Sequence, residues 1–308
     1  MCDANATGFQ SLSAEPVLGQ AMGNVTVLRL DRTGGAAPGN KVFKLRRYLE
    51  GARERGLRRV LSFGGPWSNH LHALAALGSE LGLETVGFVR GGEAETPTLA
   101  DALAWGMRLV PLSRTKYRRR GDAALQRELL RRYGPGLLIP EGGGGRDGVL
   151  GCLDIAQVIN TCGRDWSHVL VAVGTGTTLA GLAAGLRPGN RLLGVSALRN
   201  ASDLEQRVQQ SLRGANLSAA VPWRIEHGYH CGGFARASDA LCQFMLDFEQ
   251  VHQLPLEPVY TGKLFFAVFS EIAAGRLPAH EPLLLIHTGG LQGRRGYDWL
   301  SNSDFQGY

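Results

Sequence analysis

Short apolar runs alternate with longer stretches of helical periodicity from residue 57 onward. Apolar runs of a few residues bounded by turn-forming residues predict buried strands. The predicted strands are RRVLSF (58–63), ETVGFV (84–89), RLVPLS (108–113), LLIP (137–140), HVLVAVG (168–174), RLLGVSA (191–197) and PLLLIH (282–287). The intervening stretches, such as NHLHALAALGSEL and TTLAGLAAGL, have apolar residues at helical spacing. This alternation is typical of parallel sheets covered by helices, so the predicted fold class is α/β.

A glycine-rich stretch, PEGGGG at 140–145, separates the earlier predicted strands from the later ones. Glycine clusters between patterned segments favour loops and boundaries. A chain of 308 residues is long enough for two domains. We therefore expect two open, parallel-type sheets: a small inserted domain over 46–145, and a large domain formed by 1–45 and 146–308.

The composition is that of a globular protein, and its glycine content suits a chain that surrounds a small ligand. Hydrophobic residues make up 44% and charged residues 19%. The 43 glycines are about twice the usual share of roughly 7%, which favours tight turns and close backbone approach.

Charge and hydropathy narrow the possible partners. The net charge of +6 is spread over short arginine runs with no interleaved aromatics and no nucleic-acid motif, so we expect no nucleic-acid partner. No window reaches the roughly 18 apolar residues of a membrane span, and the start MCDANATGFQ lacks the features of a signal peptide. We expect a cytoplasmic protein with no membrane partner.

The five cysteines are odd in number and scattered, which argues against a disulfide framework. One stretch, EHGYHC, contains His227, His230 and Cys231, but no second ligand pair of matching spacing follows it. We expect no metal site.

The stretch GNK at 39–41 places a lysine at the start of a predicted helix. Val42, Leu45 and Leu49 follow Lys41 at near-helical spacing. The positive end of a helix dipole disfavours a lysine's charge. Lys41 is therefore either accidental or placed to react as an amine.

A glycine- and threonine-rich turn, Gly174-Thr175-Gly176-Thr177-Thr178, lies between a predicted strand and a predicted helix. Backbone N–H groups at such a turn form an anion site, and threonine hydroxyls add donors. The turn lacks the lysine of a Walker loop and the third glycine of the dinucleotide fingerprint, which disfavours a nucleotide. A plain tight turn is the alternative interpretation.

Three further segments place polar residues beside predicted strands or helices. The first segment contains Ser68, Asn69 and His70 and follows the first predicted strand, at the edge where parallel sheets bind ligands. The alternative interpretation is that Ser68 or Asn69 only caps the helix. The other two segments are PVYTGK, with Tyr260, Thr261 and Lys263, and HTGG, with His287, Thr288, Gly289 and Gly290.

In this order, GNK, SNH, PVYTGK and HTGG resemble the motifs of a known family. These are the pyridoxal-phosphate enzymes of tryptophan-synthase-β-like fold, in the branch that holds 1-aminocyclopropane-1-carboxylate deaminase and D-cysteine desulfhydrase. The resemblance runs from about residue 39 to 296. It implies pyridoxal phosphate as cofactor, a small amino acid as substrate and a homodimer.

The resemblance also implies roles at the cofactor. Lys41 resembles the lysine that holds pyridoxal phosphate as a Schiff base, and Asn69 the asparagine that bonds its phenolic oxygen. The run Gly174, Thr175, Gly176, Thr177 and Thr178 resembles the phosphate cup, and Thr261 is similar to the residue facing the pyridine nitrogen.

Other positions resemble those that handle the substrate: Ser68, Asn69, His70 and Tyr260. Ser68 looks like the residue that meets the substrate carboxylate, and Tyr260 like the tyrosine beside the cofactor ring. Lys41, Ser68 and Tyr260 are the expected catalytic residues, with Lys41 taking the α-proton once the substrate has displaced it.

Thr261 distinguishes the two activities of the branch. The deaminases carry a glutamate there, which keeps the pyridine nitrogen protonated, whereas a neutral threonine resembles the desulfhydrases. The expected reaction is a D-cysteine desulfhydrase-like β-elimination that gives a 2-oxo acid and ammonia.

Two departures from the family pattern keep alternatives open. Phe234 stands where the family has a second active-site tyrosine, and the acidic dipeptide upstream of GNK is replaced within RLDRTGG. The alternatives are deamination of 1-aminocyclopropane-1-carboxylate, a dehydratase-like or β-replacement reaction, a non-catalytic pyridoxal-phosphate-binding protein, and a nucleotide-binding oxidoreductase.

Overall fold

A computed structural model describes residues 8–13, 15–17, 19, 24–91 and 95–300. Its strands are β1 (Phe9–Ser11), β2 (Val25–Arg29), β3 (Arg59–Gly64), β4 (Glu84–Arg90), β5 (Arg108–Leu112), β6 (Leu137–Leu138), β7 (His168–Val173), β8 (Arg191–Ser196), β9 (Trp223–Glu226) and β10 (Leu283–His287). Its α-helices are α1 (Asn40–Glu54), α2 (Asn69–Glu80), α3 (Pro97–Ala104), α4 (Arg114–Arg118), α5 (Ala123–Tyr133), α6 (Gly145–Asn160), α7 (Thr177–Gly185), α8 (Leu204–Gly214), α9 (Asp239–His252) and α10 (Thr261–Ala273).

The strands form two sheets. One has six strands in the order β1-β2-β10-β7-β8-β9, and the other has four in the order β5-β4-β3-β6. All pairs are parallel except β1 with β2. The α/β prediction with two parallel-type sheets is confirmed, and each predicted strand overlaps an observed one. The sequence interpretation missed β1, β2 and β9.

The smaller sheet consists of strands that lie within 46–145, and the strands of the larger sheet lie outside that range. The assignment of these ranges to two domains stays a prediction. The boundary placed after residue 45 falls inside α1, because that helix packs into two cores. Phe43 belongs to the core of the larger sheet, whereas Leu45 and Leu49 belong to the core under the smaller one.

The carboxyl ends of three parallel strands bring the sequence motifs together. β3 leads into Gly65–Ser68, β7 into the glycine-rich turn, and β10 into Thr288–Gly290. In parallel sheets such ends share one edge, which is the usual ligand edge. Within the described residues no helix is long and apolar enough to cross a membrane.

Candidate active site

A cavity of about 620 Å³ opens where the two sheets meet. Its wall includes both lysines of the first turn of α1, residues 65–70, most of the glycine-rich turn, and residues 288–290. This volume is within the usual range of ligand sites, about 300–1,000 Å³. The predicted site residues, apart from Thr177 and Thr261, therefore surround one cavity, and their roles in binding stay predictions.

Lys41 is the second residue of α1 and is half-buried in the cavity wall. Its Nζ donates to Asn40 Oδ1 at 3.1 Å, and Asn40 Nδ2 donates to Thr178 Oγ1 at 3.1 Å. The pKa of Lys41 is lowered to about 7, mainly by burial and next by the positive charge of Lys44. A substantial fraction of the Lys41 amine is therefore neutral near pH 7.

The start of α1 needs a glycine at position 39. Gly39 has φ +130°, and a Cβ there would lie 2.6 Å from the carbonyl oxygen of Thr288. The same oxygen accepts a hydrogen bond from Asn40 N at 3.1 Å. The close approach of these two segments fixes Lys41 against the end of β10.

The glycine-rich turn begins α7. Gly176 is the N-cap residue with φ +87°, and the hydroxyls of Thr175 and Thr177 are 3.1 Å apart. Gly174, Thr175, Gly176 and Thr178 line the cavity, whereas Thr177 is buried beside Thr175 and is not part of the wall. The free N–H groups of a helix start favour an anion at this place.

Ser68 and Asn69 lie at the start of α2 and line the cavity. Ser68 is the N-cap, and its Oγ accepts a hydrogen bond from Leu71 N at 3.2 Å, so the capping interpretation is correct. The Ser68 hydroxyl proton is still available to a ligand. Asn69 Oδ1 accepts from Gln292 Nε2 at 2.8 Å, which orients its amide.

His70 lines the cavity although only 3% of its surface is exposed. Its Nε2 lies 2.7 Å from Ser62 Oγ, and that hydroxyl donates to Ile139 O at 2.8 Å. The Ser62 oxygen therefore accepts from Nε2–H, which leaves Nδ1 as an acceptor with no hydrogen-bond partner among the described residues. Burial and then the charges of Lys41 and Lys44 lower the pKa of His70 to about 3, so its ring is neutral.

Tyr260 packs against the turn at Gly174, where a Cβ would lie 2.9 Å from the tyrosine ring. Burial and then the charge of Glu257 raise the pKa of Tyr260 well above its usual value, so its hydroxyl keeps its proton. The buried Glu257 accepts backbone hydrogen bonds from residues 259, 260 and 261 at 2.6–2.8 Å. Sequence reasoning missed Glu257, which fixes the start of α10.

Thr261 does not line the cavity. It is fully buried, and its Oγ1 accepts from Glu257 N at 2.9 Å and donates to Glu257 O at 3.3 Å. The residue that does line the cavity at the end of β10 is Thr288. Thr261 is therefore outside the cavity wall, and its expected contact with the pyridine nitrogen stays a prediction.

Lys44 was also missed from the sequence. It is 3% exposed, lines the cavity, and its Nζ has a carbonyl oxygen, that of Gly142, at 3.5 Å. Burial lowers the pKa of Lys44. The signal for Lys44 was its spacing, because residues three apart lie on one helix face.

Phe234 lines the cavity and is 46% exposed. Its ring contacts that of Tyr260 edge-on, with centroids 6.1 Å apart. Trp67 and Tyr297 line the same opening, and neither was singled out from the sequence.

The described cysteines, Cys152, Cys162, Cys231 and Cys242, are free thiols. In the described ranges no group of three or more histidine, cysteine, aspartate or glutamate residues could hold a metal ion.

The site fits the expected pyridoxal phosphate. The neutral fraction of the Lys41 amine suits an aldehyde, and the helix start at Gly176 with Lys44 nearby suits a phosphate. A Cβ would lie 2.9 Å from Tyr260 at Gly174 and 2.9 Å from Val208 at Gly176, so the turn needs glycines to pack this closely.

A model of the family described as "Pyridoxal-phosphate dependent enzyme" matches residues 12–289. D-cysteine desulfhydrase of Salmonella choleraesuis is 31% identical over 288 residues, covering 86% of both chains. A putative 1-aminocyclopropane-1-carboxylate deaminase of Pyrococcus horikoshii is 29% identical, over 89% of this chain and 86% of its own. The crystal structure of an ACC deaminase homologue superposes with a TM-score of 0.79 at 26% identity, covering 96% of this chain and 93% of the other.

Proposed function

Because the chain belongs to the family of pyridoxal-phosphate-dependent enzymes, we propose that it is a lyase that removes a β-leaving group from an amino acid. The reaction is D-cysteine desulfhydrase-like and gives a 2-oxo acid and ammonia. The relative named D-cysteine desulfhydrase, at 31% identity, supports this choice.

The observation that carries the proposal is the position of Lys41. It lies in the cavity wall beside the anion-binding start of α7, with a pKa of about 7. An amine with this pKa can bond to an aldehyde and can later remove a proton near neutral pH.

Lys41 would hold the aldehyde carbon, and Gly174–Thr178 with Lys44 would hold the phosphate. The chemistry that the bound cofactor supplies is an electron sink for the bond broken at the substrate α-carbon. Asn40 Oδ1 accepts a hydrogen bond from Lys41 Nζ, which orients the amine at the cavity wall.

On the substrate side, the Ser68 hydroxyl can donate to a carboxylate because its oxygen already accepts from Leu71 N. The free amine of Lys41 would take the α-proton onto its Nζ. Tyr260 keeps its hydroxyl proton and can donate it to the departing group. Asn69 is held by Gln292 with its amide nitrogen toward Gly290.

A deaminase of 1-aminocyclopropane-1-carboxylate is the second candidate, and the names of the Pyrococcus relative and the solved homologue favour it. The deaminases' glutamate is a threonine at position 261 here. Thr261 is itself buried behind the cavity wall, but without a carboxylate at this position no side chain there would keep the pyridine nitrogen protonated, which favours β-elimination.

The test is an absorbance spectrum of the purified protein with pyridoxal phosphate, followed by addition of D-cysteine while pyruvate and sulfide are quantified. We expect a visible band and stoichiometric release of both products. Conversion of 1-aminocyclopropane-1-carboxylate to 2-oxobutanoate without turnover of D-cysteine would favour the deaminase instead. A band with no product from either substrate contradicts both and favours a non-catalytic binding protein.

A matched pair of variants tests the lysine assignment. Lys41→Ala should abolish the visible band and lower turnover at least about 10³-fold. Lys44→Ala removes the neighbouring buried lysine and should keep the band. Survival of the band in Lys41→Ala with an intact fold would show that another residue carries the cofactor.

We also propose that the enzyme acts as a homodimer in the cytoplasm, on a small amino acid and not on nucleic acid or a membrane. The free thiols support a reducing compartment, and a concave site of about 620 Å³ supports a small ligand. A monomeric mass by light scattering would contradict the dimer.

A further inference from the structure

The mouth of the cavity has an aromatic wall, formed by Trp67, Phe234, Tyr260 and Tyr297, all of which line the cavity. A Cβ at Gly296 would lie 2.8 Å from the Trp67 ring, so Trp67 packs beside Tyr297. The Tyr297 hydroxyl donates to the backbone next to Phe234, whose ring contacts Tyr260. Contacts through the backbone at Gly296 and Ala235, and the ring contact of Phe234 with Tyr260, therefore connect the four side chains along one side of the mouth.

The segment that carries Phe234 is fixed on both sides. The fully buried Lys263 donates from Nζ to Gly233 O at 2.6 Å. The Tyr297 hydroxyl donates to Ala235 O at 3.1 Å. Ala235 itself has φ +56°, a left-handed conformation that non-glycine residues adopt rarely and mostly where the surroundings enforce it.

Phe234 is held in place but is still 46% exposed, because it faces the cavity opening. An apolar surface in a concave, preformed site is stabilised when an apolar ligand group covers it. Neither the predicted cofactor site nor the Ser68 hydroxyl requires an apolar surface at Phe234. An apolar part of the substrate is the group that fits it.

Charged side chains also line the cavity, and the competing hypothesis is a substrate with an anionic side chain. Arg120 pairs with Glu141 at 2.5 Å, so its charge is compensated. Arg90 is exposed, with its guanidinium 5.9 Å from the centre of the Tyr117 ring. A substrate with an anionic side chain would bind toward Arg90 and not along the aromatic wall.

We propose that the preferred substrates are β-substituted alanines whose leaving group carries an apolar, aromatic substituent, such as S-benzylcysteine, and that the aromatic wall selects them. This specificity rests on the β-elimination proposed above. The α-hydrogen leaves as a proton and the Cβ–S bond breaks with its electron pair going to sulfur, which gains a proton and departs as the thiol. The three-carbon enamine then takes up one water and gives pyruvate and ammonia, so no external oxidant or reductant is needed.

The first test compares kcat/KM for cysteine, S-benzylcysteine and S-carboxymethylcysteine, each as both enantiomers. We expect S-benzylcysteine to exceed cysteine by at least about tenfold, because a buried ring adds apolar contact. Trp67→Ala and Phe234→Ala should each reduce this ratio several-fold. Leu246→Ala removes an apolar side chain that is 38% exposed and lies outside the cavity wall, and it should leave the ratio unchanged.

The second test measures binding without turnover. After borohydride reduction fixes the cofactor to Lys41, titration calorimetry gives dissociation constants for the same amino acids. S-benzylcysteine should bind at least about tenfold more tightly than cysteine, and Trp67→Ala should remove most of that difference.

The outcomes separate this inference from the function on which it rests. Pyruvate release from D-cysteine with no benzyl preference in either test overturns the aromatic wall's role and keeps the lyase. A preference for the carboxymethyl compound overturns it in favour of Arg90. Tighter benzyl binding without pyruvate from any substrate refutes the lyase but retains the apolar subsite.

Discussion

The cavity floor, formed by Gly39–Lys41, Gly174–Thr178 and Thr288–Gly290, differs from the mouth at Phe234 in how its geometry is fixed. At the floor, the three segments are hydrogen-bonded to one another. Asn40 donates from its backbone N to Thr288 O and from its Nδ2 to Thr178 Oγ1. At the mouth, the Phe234 ring is 46% exposed, and the segment that carries it is held by the hydrogen bond from Lys263 to Gly233 O. We therefore expect the floor to tolerate few substitutions, and the mouth to accept changes of side chain without loss of the fold.

The largest expected effect is at Asp31, which contacts His287, the residue just before the floor segment Thr288–Gly290. It is buried between Arg29 Nε at 2.9 Å and His287 Nδ1 at 3.1 Å. Asp31→Asn leaves Arg29 buried without its counter-charge and should reduce the free energy of unfolding by about 3–5 kcal/mol. Urea denaturation measures this, and Asp154→Asn is the control because its ion pair with Arg46 is exposed and weak.

The effect of Asp31 should depend on pH. Burial opposes its ionisation, but the charge of His287 and hydrogen bonds from Arg29 hold the pKa of Asp31 well below its usual value. The stabilisation is therefore present above the unfolded pKa of about 3.9 and is lost as the pH falls below it. A stability difference between wild type and Asp31→Asn that does not shrink in acid would contradict this account.

Gly39→Ala should come next. A methyl group would lie 2.6 Å from Thr288 O at a φ of +130°, so we expect a loss of about 3 kcal/mol in the free energy of unfolding. Gly51, in the same helix, has open space where an added methyl group would lie, and Gly51→Ala should stabilise by about 0.5–1 kcal/mol. Equal effects at the two glycines would mean that the floor is not closely packed.

Lys44→Met tests the charge at the floor. Loss of one charge-assisted contact should weaken pyridoxal-phosphate binding by about 1.5–3 kcal/mol, roughly 10–100-fold, while the visible band still forms. Fluorescence titration measures the dissociation constant. An unchanged constant would place the phosphate away from Lys44.

The pH dependence of cofactor uptake tests Lys41 itself. Because only the neutral amine reacts and its pKa is about 7, the rate should fall about tenfold per pH unit below 7 and level off above about pH 8. Removing the positive charge of Lys44 should raise the pKa of Lys41 and move this midpoint upward. Stopped-flow absorbance measures the rate, and a wild-type rate that still rises at pH 10 would contradict the lowered pKa.

The smallest effect is expected at the mouth. Phe234→Tyr adds a hydroxyl to a ring that is 46% exposed, so the free energy of unfolding should change by less than about 0.5 kcal/mol. A larger loss in urea denaturation would show that the mouth is as tightly packed as the floor.

The difference between floor and mouth also explains which features the sequence could predict. Apolar runs such as β7 and β10 were recognised because nearly every residue is buried. The strand β2 was missed because Thr26 and Arg29 interrupt its apolar pattern, although both are buried. Arg29 can be buried because it donates hydrogen bonds to Asp31 and Gln10. Sequence spacing alone does not predict these contacts.

At the site, motif order placed Lys41, Asn69 and Tyr260 at one cavity, but the causes of their properties were tertiary. The helix dipole predicted a lowered pKa for Lys41, whereas burial and Lys44 are its main causes. The direction of the Thr261 side chain at the start of α10 is set by Glu257. Trp67 and Tyr297 are distant in sequence, so no local pattern could join them.

The helix α1 is shared by the cores of the two sheets. It contributes Phe43 to one core and Leu45 to the other, and it contacts both α6 and α2. Lys41 and Lys44 both lie on this shared helix. A substitution that displaces α1 should therefore loosen both cores and shift Lys41 and Lys44 at the same time.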